Sequence, residues 1–169
     1  MSIKKEIVEE YIKSFKQALI IFLILFIGFW PVRIDGISME PSLCNKDRVI
    51  MSRALGLISG YERGELVICK NKDKIGPKNI VKRIIAVPGD SLEIKEGKVY
   101  INGEMLNEDY ILGDTSKDMT IDLLENQYFV MGDNRQESVD SRYFGAIDKK
   151  SLKGKIILRW FPINKLKIY

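Results

Sequence analysis

The sequence predicts a mainly β protein: an N-terminal transmembrane helix followed by an all-β domain that carries a small β-ribbon extension. Three observations lead there. Residues 18–32 form an apolar run without a charge. Several short strand-like runs follow, each bounded by Gly, Pro or charged residues. No second apolar run approaches membrane length, so the chain is expected to cross once. Short strands at close spacing with Gly/Pro punctuation are the pattern of a sandwich or barrel-like domain.

In the first 17 residues Ile3, Ile7, Tyr11, Ile12 and Phe15 recur at three- and four-residue spacing, with lysines and glutamates between them, as in an amphipathic helix. The apolar run after them covers about 22 Å as a helix, against a hydrocarbon core of roughly 30 Å. Phe15 and Ile34 extend it and Lys16 and Arg33 can snorkel, which sets the expected anchor at 18–34. A buried core helix would need a larger protein around it. A cleaved leader would end on small residues, where this chain has Phe29, Trp30, Pro31, Val32 and Arg33. Lys4, Lys5, Lys13 and Lys16 precede the run and Arg33 follows it, so residues 1–17 are expected in the cytoplasm and 35–169 outside.

The strand candidates come next in order. Residues 47–52 and 65–70 are short β-type runs, and 79–87 is a longer one stopped by Pro88-Gly89-Asp90. Residues 91–105 read as a ribbon with turns at Glu96-Gly97 and Asn102-Gly103. Residues 107–126 are polar and irregular, an excursion that closes the extension at 91–127. Residues 128–131 and 155–160 complete the set.

Composition removes several kinds of chemistry. The 27 basic and 23 acidic residues are mixed along the chain and leave a net charge of only +4, so no nucleic acid partner is expected. Zero histidines exclude a Ser-His-Asp triad and any Cys-His pair. Two cysteines without histidine make neither a four-ligand metal site nor a disulfide framework, and the pairing of Cys44 with Cys69 is left open. No cofactor or metal is expected.

A nucleophile in this chain therefore needs another base. Strand alternation in 79–87 puts Ile80, Lys82, Ile84 and Ala86 on one face and Val81, Arg83, Ile85 and Val87 on the other. Each apolar face then carries one cation. Burial lowers a lysine pKa, and a neutral lysine is a competent general base, whereas arginine does not deprotonate. From the strand alone Lys82 reads rather as a snorkelling lysine from an edge strand, or as one paired to Asp133 or Asp140. Ser38 by itself is equally a turn residue, with Gly36 before it and Pro41 after it. Residues 131–145 are too polar to be core and dense enough in Asp, Asn, Arg and Ser to form a tightly hydrogen-bonded loop.

Taken together, four stretches in order resemble the bacterial type I signal peptidases, membrane-anchored Ser-Lys proteases. They are Ser38-Met39-Glu40-Pro41-Ser42-Leu43, Asp47-Arg48-Val49-Ile50, Lys82-Arg83-Ile84-Ile85-Ala86-Val87-Pro88-Gly89-Asp90, and Gly132-Asp133-Asn134-Arg135 running to Asp140-Ser141-Arg142-Tyr143-Phe144-Gly145. The resemblance implies a signal-peptidase-like catalytic domain with Ser38 as nucleophile and Lys82 as general base. It implies Ser138 as the serine that orients the lysine amine, and ion pairs of Asp133 with Arg83 and of Asp140 with Arg142. In some members a serine two positions before the nucleophile helps bind the oxyanion; this chain has Gly36 there. Small residues one and three positions before the cut are expected to meet Ile34, Gly36, Met39, Leu43, Ile80 and Val81. The implied partners are signal-peptide-bearing preproteins and membrane lipid, met by a monomer. A Ser-Lys protease with one dedicated substrate, or a non-catalytic anchored β-domain, are the alternatives.

Overall fold

Amphipathic spacing in the first 17 positions, followed by the apolar run, gives one continuous helix, α1 (Ser2–Gly28). The helix stops at Gly28 and does not continue to Ile34. The next residues form strand β1 (Phe29–Arg33). Pro31 has no N–H for a helical bond and drives Trp30 toward extended backbone, and aromatic and β-branched neighbours favour a strand. The computed structural model describes residues 2–72 and 77–169. Among them no helix is long and apolar enough to cross a membrane. The side chains of Ile3, Lys4, Lys5 and residues 23–27 lie outside the described residues. The chain divides into two units, residues 1–30 and 31–169.

The second unit runs through β2 (Arg48–Ser52), α2 (Arg53–Ile58), β3 (Leu66–Lys70), β4 (Asn79–Ala86), β5 (Ser91–Lys95), β6 (Lys98–Ile101), β7 (Glu104–Met105), β8 (Met119–Asp122), β9 (Gln127–Met131), α3 (Ser141–Phe144), β10 (Ile147–Asp148), β11 (Leu152–Phe161) and β12 (Lys167–Ile168). Eight strands form one sheet in the order β1-β2-β11-β3-β4-β9-β10, with β12 also paired to β11; the other four form a sheet in the order β7-β6-β5-β8. The smaller sheet contains the expected ribbon. Its turns carry positive φ at Glu96 (52°) and Gly97 (77°) and at Asn102 (54°) and Gly103 (84°), the signature of tight hairpins.

Three apolar clusters hold these layers. Leu92, Ile94, Val99 and Ile101 of the small sheet pack on Ile85, Phe129 and Met131. Ile34, Met39, Leu43, Val49, Met51, Leu66 and Ile156 form a second cluster. Val67, Cys69, Ile84, Val130, Ile147 and Leu152 form the third.

Two expectations need correction. The alternation in β4 breaks, because β4 pairs with β9 through Ile84↔Val130 and then Ala86↔Phe129, which leaves Ile85 as an extra residue. Beyond this bulge the faces exchange: Ala86 joins Ile85 in the first cluster and Val87 joins Ile84 in the third. The excursion at 107–126 is also less irregular than its polarity suggests, since β8 completes the small sheet along β5.

Candidate active site

Ser38 sits in the connection between β1 and β2. That connection is closed at its base by Ile34 N–H to the Asp47 carbonyl (2.8 Å) and Lys46 N–H to the Ile34 carbonyl (2.9 Å). Within it Leu43 N–H donates to the Met39 carbonyl (2.8 Å). Met39 and Leu43 are buried in the second cluster and fasten the turn to the core. From the opposite side Asn134 N–H donates to the Ser38 carbonyl (3.1 Å) and its side-chain amide to the Ile37 carbonyl (3.3 Å).

Lys82 comes from the middle of β4 and is 3% exposed. Its Nζ lies 2.8 Å from Ser38 Oγ. Burial holds the Lys82 ammonium below the usual lysine value, and the charge of Asp140 opposes that effect. A hydroxyl and a desolvated amine at this distance can exchange a proton: the bond that Lys82 donates when charged reverses when the amine is neutral.

The neighbouring cation has the opposite environment. Arg83 is bonded to both carboxylate oxygens of Asp133 (Nε–Oδ1 2.8 Å, Nη2–Oδ2 2.6 Å), to the Gly64 carbonyl (2.7 Å) and to Ser42 Oγ (3.0 Å). Asp140 binds Arg142 with both oxygens (2.8 and 2.9 Å). Ser138 donates to Asp140 Oδ2 (2.6 Å), which also accepts Gly132 N–H (3.0 Å). The Ser138 proton thus goes to Asp140, the carboxylate whose charge opposes the effect of burial on Lys82. Gly132 has no room for a side chain: a Cβ there would lie 2.5 Å from the Ser38 carbonyl oxygen and 2.6 Å from Ser138 Cβ.

Beside Ser38 a cavity of about 220 Å³ is lined by Ile34, Gly36, Met39, Ile80 and Val81, with Val32, Asp35, Ile68 and Asn79 among the other walls. Leu43 is not at this surface. It is fully buried beneath it, because its N–H to Met39 turns it into the core. Gly36 has φ +105°, and its N–H donates to Asn45 Oδ1 (3.3 Å). Both cysteines are free, and burial pushes the Cys69 thiol up to about 12. Among the described residues no group of three His, Cys, Asp or Glu side chains could hold a metal.

Several residues of the site surroundings escape a sequence reading. The excursion folds back onto the polar loop, where Leu112 N–H donates to the Asp133 carbonyl (2.8 Å) and Arg135 N–H to the Leu112 carbonyl (2.9 Å). Arg135, almost wholly buried, is paired with Glu108 and bonded to Thr115 Oγ1. The Arg83 guanidinium stacks on the Tyr110 ring, 4.0 Å from its centroid. The one available signal is a lone tyrosine amid polar residues.

The chain is similar to known proteins over most of its length. A family model described as signal peptidase, peptidase S26, matches residues 8–161. Signal peptidase I P of Bacillus subtilis subsp. natto is 33% identical over 177 residues, covering 97% of this chain and 95% of the relative. Signal peptidase I S of Bacillus subtilis (strain 168) is 34% identical over 179 residues, with the same coverage of 97% and 95%. The crystal structure of a signal peptidase I from Enterococcus faecalis V583 superposes with a TM-score of 0.50 at 30% identity, covering 56% of this chain and 95% of that one.

Proposed function

This chain belongs to the signal peptidase family, peptidase S26, and from that membership we propose that it is a serine endopeptidase that removes signal peptides from preproteins, with Ser38 as nucleophile and Lys82 as general base. The observation that supports the dyad most is the 2.8 Å approach of a buried lysine amine to the serine hydroxyl. Neutral Lys82 takes the hydroxyl proton as Ser38 Oγ attacks the scissile carbonyl carbon. The tetrahedral oxyanion is held by the Ser38 backbone N–H. Its collapse breaks the C–N bond, the leaving amine takes the proton from the Lys82 ammonium, and the signal peptide stays esterified to Ser38. A water then gives a proton to Lys82 and attacks the ester, which releases the acid and restores the hydroxyl.

The cleavage region lies extended along the N-terminal half of β4, where residues before Arg83 have no β9 partner. The cavity beside Ser38 takes the small side chains near the cut. Asp133 with Arg83, Asp140 with Arg142, and Ser138 hold the loop that carries Asn134. The same reading puts residues 1–17 in the cytoplasm, a single membrane anchor in the apolar part of α1 from residue 18 to its end at Gly28, and the catalytic unit on the outer face of the membrane. Exposed Leu19, Ile20, Ile21 and Phe22 are consistent with apolar surroundings.

The test uses the full chain and a preprotein substrate. Ser38→Ala, Lys82→Ala and Lys82→Arg are each expected to abolish cleavage while circular dichroism keeps its wild-type form. Full activity in Lys82→Ala would sink the dyad assignment.

A further inference from the structure

The turn that carries Ser38 is gripped from a direction the proposed mechanism does not use. Ser42, four residues on, accepts three hydrogen bonds. Its hydroxyl accepts from Arg83 (3.0 Å), while its carbonyl accepts from Arg159 Nη1 (2.8 Å) and from the Tyr169 phenol (2.8 Å). Arg159 Nη1 also reaches Asp47 Oδ2 (3.2 Å), and that same oxygen accepts Cys44 N–H (2.9 Å). Both ends of the 42–47 bend are thus tied to one guanidinium. Arg159 and Asp47 are 8% and 3% exposed, so the pair is shielded from water and salt.

The two donors are themselves fixed. Arg159 lies in β11 between β2 and β12, opposite Val49 on one side and Lys167 on the other. Its Nε donates to the Lys165 carbonyl (2.7 Å). Tyr169 follows β12, and its N–H donates to the Ile157 carbonyl (3.0 Å). A rigid strand pair therefore presents two side chains to one carbonyl. Ser42 is also where this clamp meets β4, because the arginine on its hydroxyl is the residue next to Lys82.

We propose that Arg159 and Tyr169 are positioning residues that hold the Ser42 carbonyl, and through it the 38–43 turn, so that the Ser38 hydroxyl stays in register with the Lys82 amine. The proposal rests on the reading of Ser38 and Lys82 as the catalytic pair. Neither positioning residue touches substrate; both act on where the nucleophile stands. Releasing one bond to Ser42 lets the turn move by a fraction of an ångström, which an attack geometry feels and an overall fold does not. It also admits water beside Lys82, which relieves the desolvation of its ammonium and raises its pKa.

The experiment compares full-length wild type, Tyr169→Phe, Arg159→Lys and Ser38→Ala on a preprotein substrate. The readouts are kcat, KM, the pH profile of kcat/KM and the thermal midpoint. Tyr169→Phe keeps the ring and loses one hydroxyl; its kcat is expected to fall about tenfold or more. Its KM should stay within about twofold and its midpoint within about 2 °C. The acid limb of its pH profile moves to higher pH. Arg159→Lys shifts kcat and the acid limb in the same direction, and if it does not fold, Tyr169→Phe alone decides. Wild-type kcat with an unmoved acid limb in Tyr169→Phe overturns the positioning role, as does a loss of kcat that only follows a loss of thermal stability. An active Ser38→Ala overturns instead the dyad reading on which the proposal stands.

Discussion

Arg83 and Asp133 face each other as a two-pronged pair across β4 and the start of the polar loop, with Nε–Oδ1 at 2.8 Å and Nη2–Oδ2 at 2.6 Å. Their side chains are 10% and 1% exposed, so neither charge has water to fall back on. Removing one partner of such a pair typically costs about 3–5 kcal/mol, because the other is left buried and unpaired. Asp133→Asn is therefore expected to lower the free energy of urea unfolding by an amount in that range, seen as a lower midpoint at unchanged m. A midpoint within experimental error of wild type would show that Tyr110 and the Gly64 carbonyl satisfy Arg83 without the carboxylate.

With Lys82 as the proposed general base, both activity and stability are expected to depend on pH. Its folded pKa is lowered by burial, so the folded state binds fewer protons than the unfolded state between that value and the ordinary lysine value near 10.5. Across this window stability rises with pH, and the cost of burying the amine is largest below the folded pKa. Lys82→Met is expected to be more thermostable than wild type at neutral pH, with the difference shrinking as pH approaches the ordinary lysine value. Cleavage by the wild type should fall with acidification along a limb below the ordinary lysine pKa. A stability difference independent of pH would contradict a buried neutral amine.

Gly132→Ala introduces a methyl against the Ser38 carbonyl, which is backbone and cannot swing away. Overpacking of this kind costs about 1–3 kcal/mol. The sharper effect is expected on catalysis, since the displaced group is the carbonyl of Ser38, the proposed nucleophile. Preprotein cleavage should drop by at least about tenfold, out of proportion to the loss of stability.

Gly36→Ser tests whether a hydroxyl can be added where this chain lacks one. The position has φ +105°, a conformation that costs a residue with a side chain about 1–3 kcal/mol, although nothing lies within 4 Å of a Cβ there. Gly36→Ser and Gly36→Ala are both expected to reduce cleavage to a similar degree. Higher activity in the serine variant than in the alanine variant would mean that the new hydroxyl reaches the oxyanion despite the strain.

Much of the strand layout is legible because β-runs and turn residues are local features: the Glu96-Gly97 and Asn102-Gly103 turns need only their own neighbours. The pairing of Ser38 with Lys82 is legible for a different reason: neither residue declares itself alone, and the pair is what the resemblance of four ordered motifs to the type I signal peptidases implies. The faces of β4 past Ile84 were not, because a bulge is decided by how two strands close and not by either alone. Leu43 looks like a wall residue in the sequence, yet a single backbone bond to Met39 turns it inward. Glu108, Tyr110 and Arg135 were hidden by distance along the chain: an excursion rich in charge reads as solvated until its partner, 27 residues on, is seen to bury with it.

The hydrogen bonds around Ser42 and Ser38 also say something about time. Lys82 meets Ser38 across 44 residues, and Tyr169 meets Ser42 across 127. Contacts this far apart in sequence close slowly, since the intervening chain must be gathered first. In the proposed enzyme the serine precedes in sequence the strands β4, β11 and β12 that aim it. On the reading of Ser38 and Lys82 as the catalytic pair, hydrolytic competence becomes a report that the molecule has finished folding.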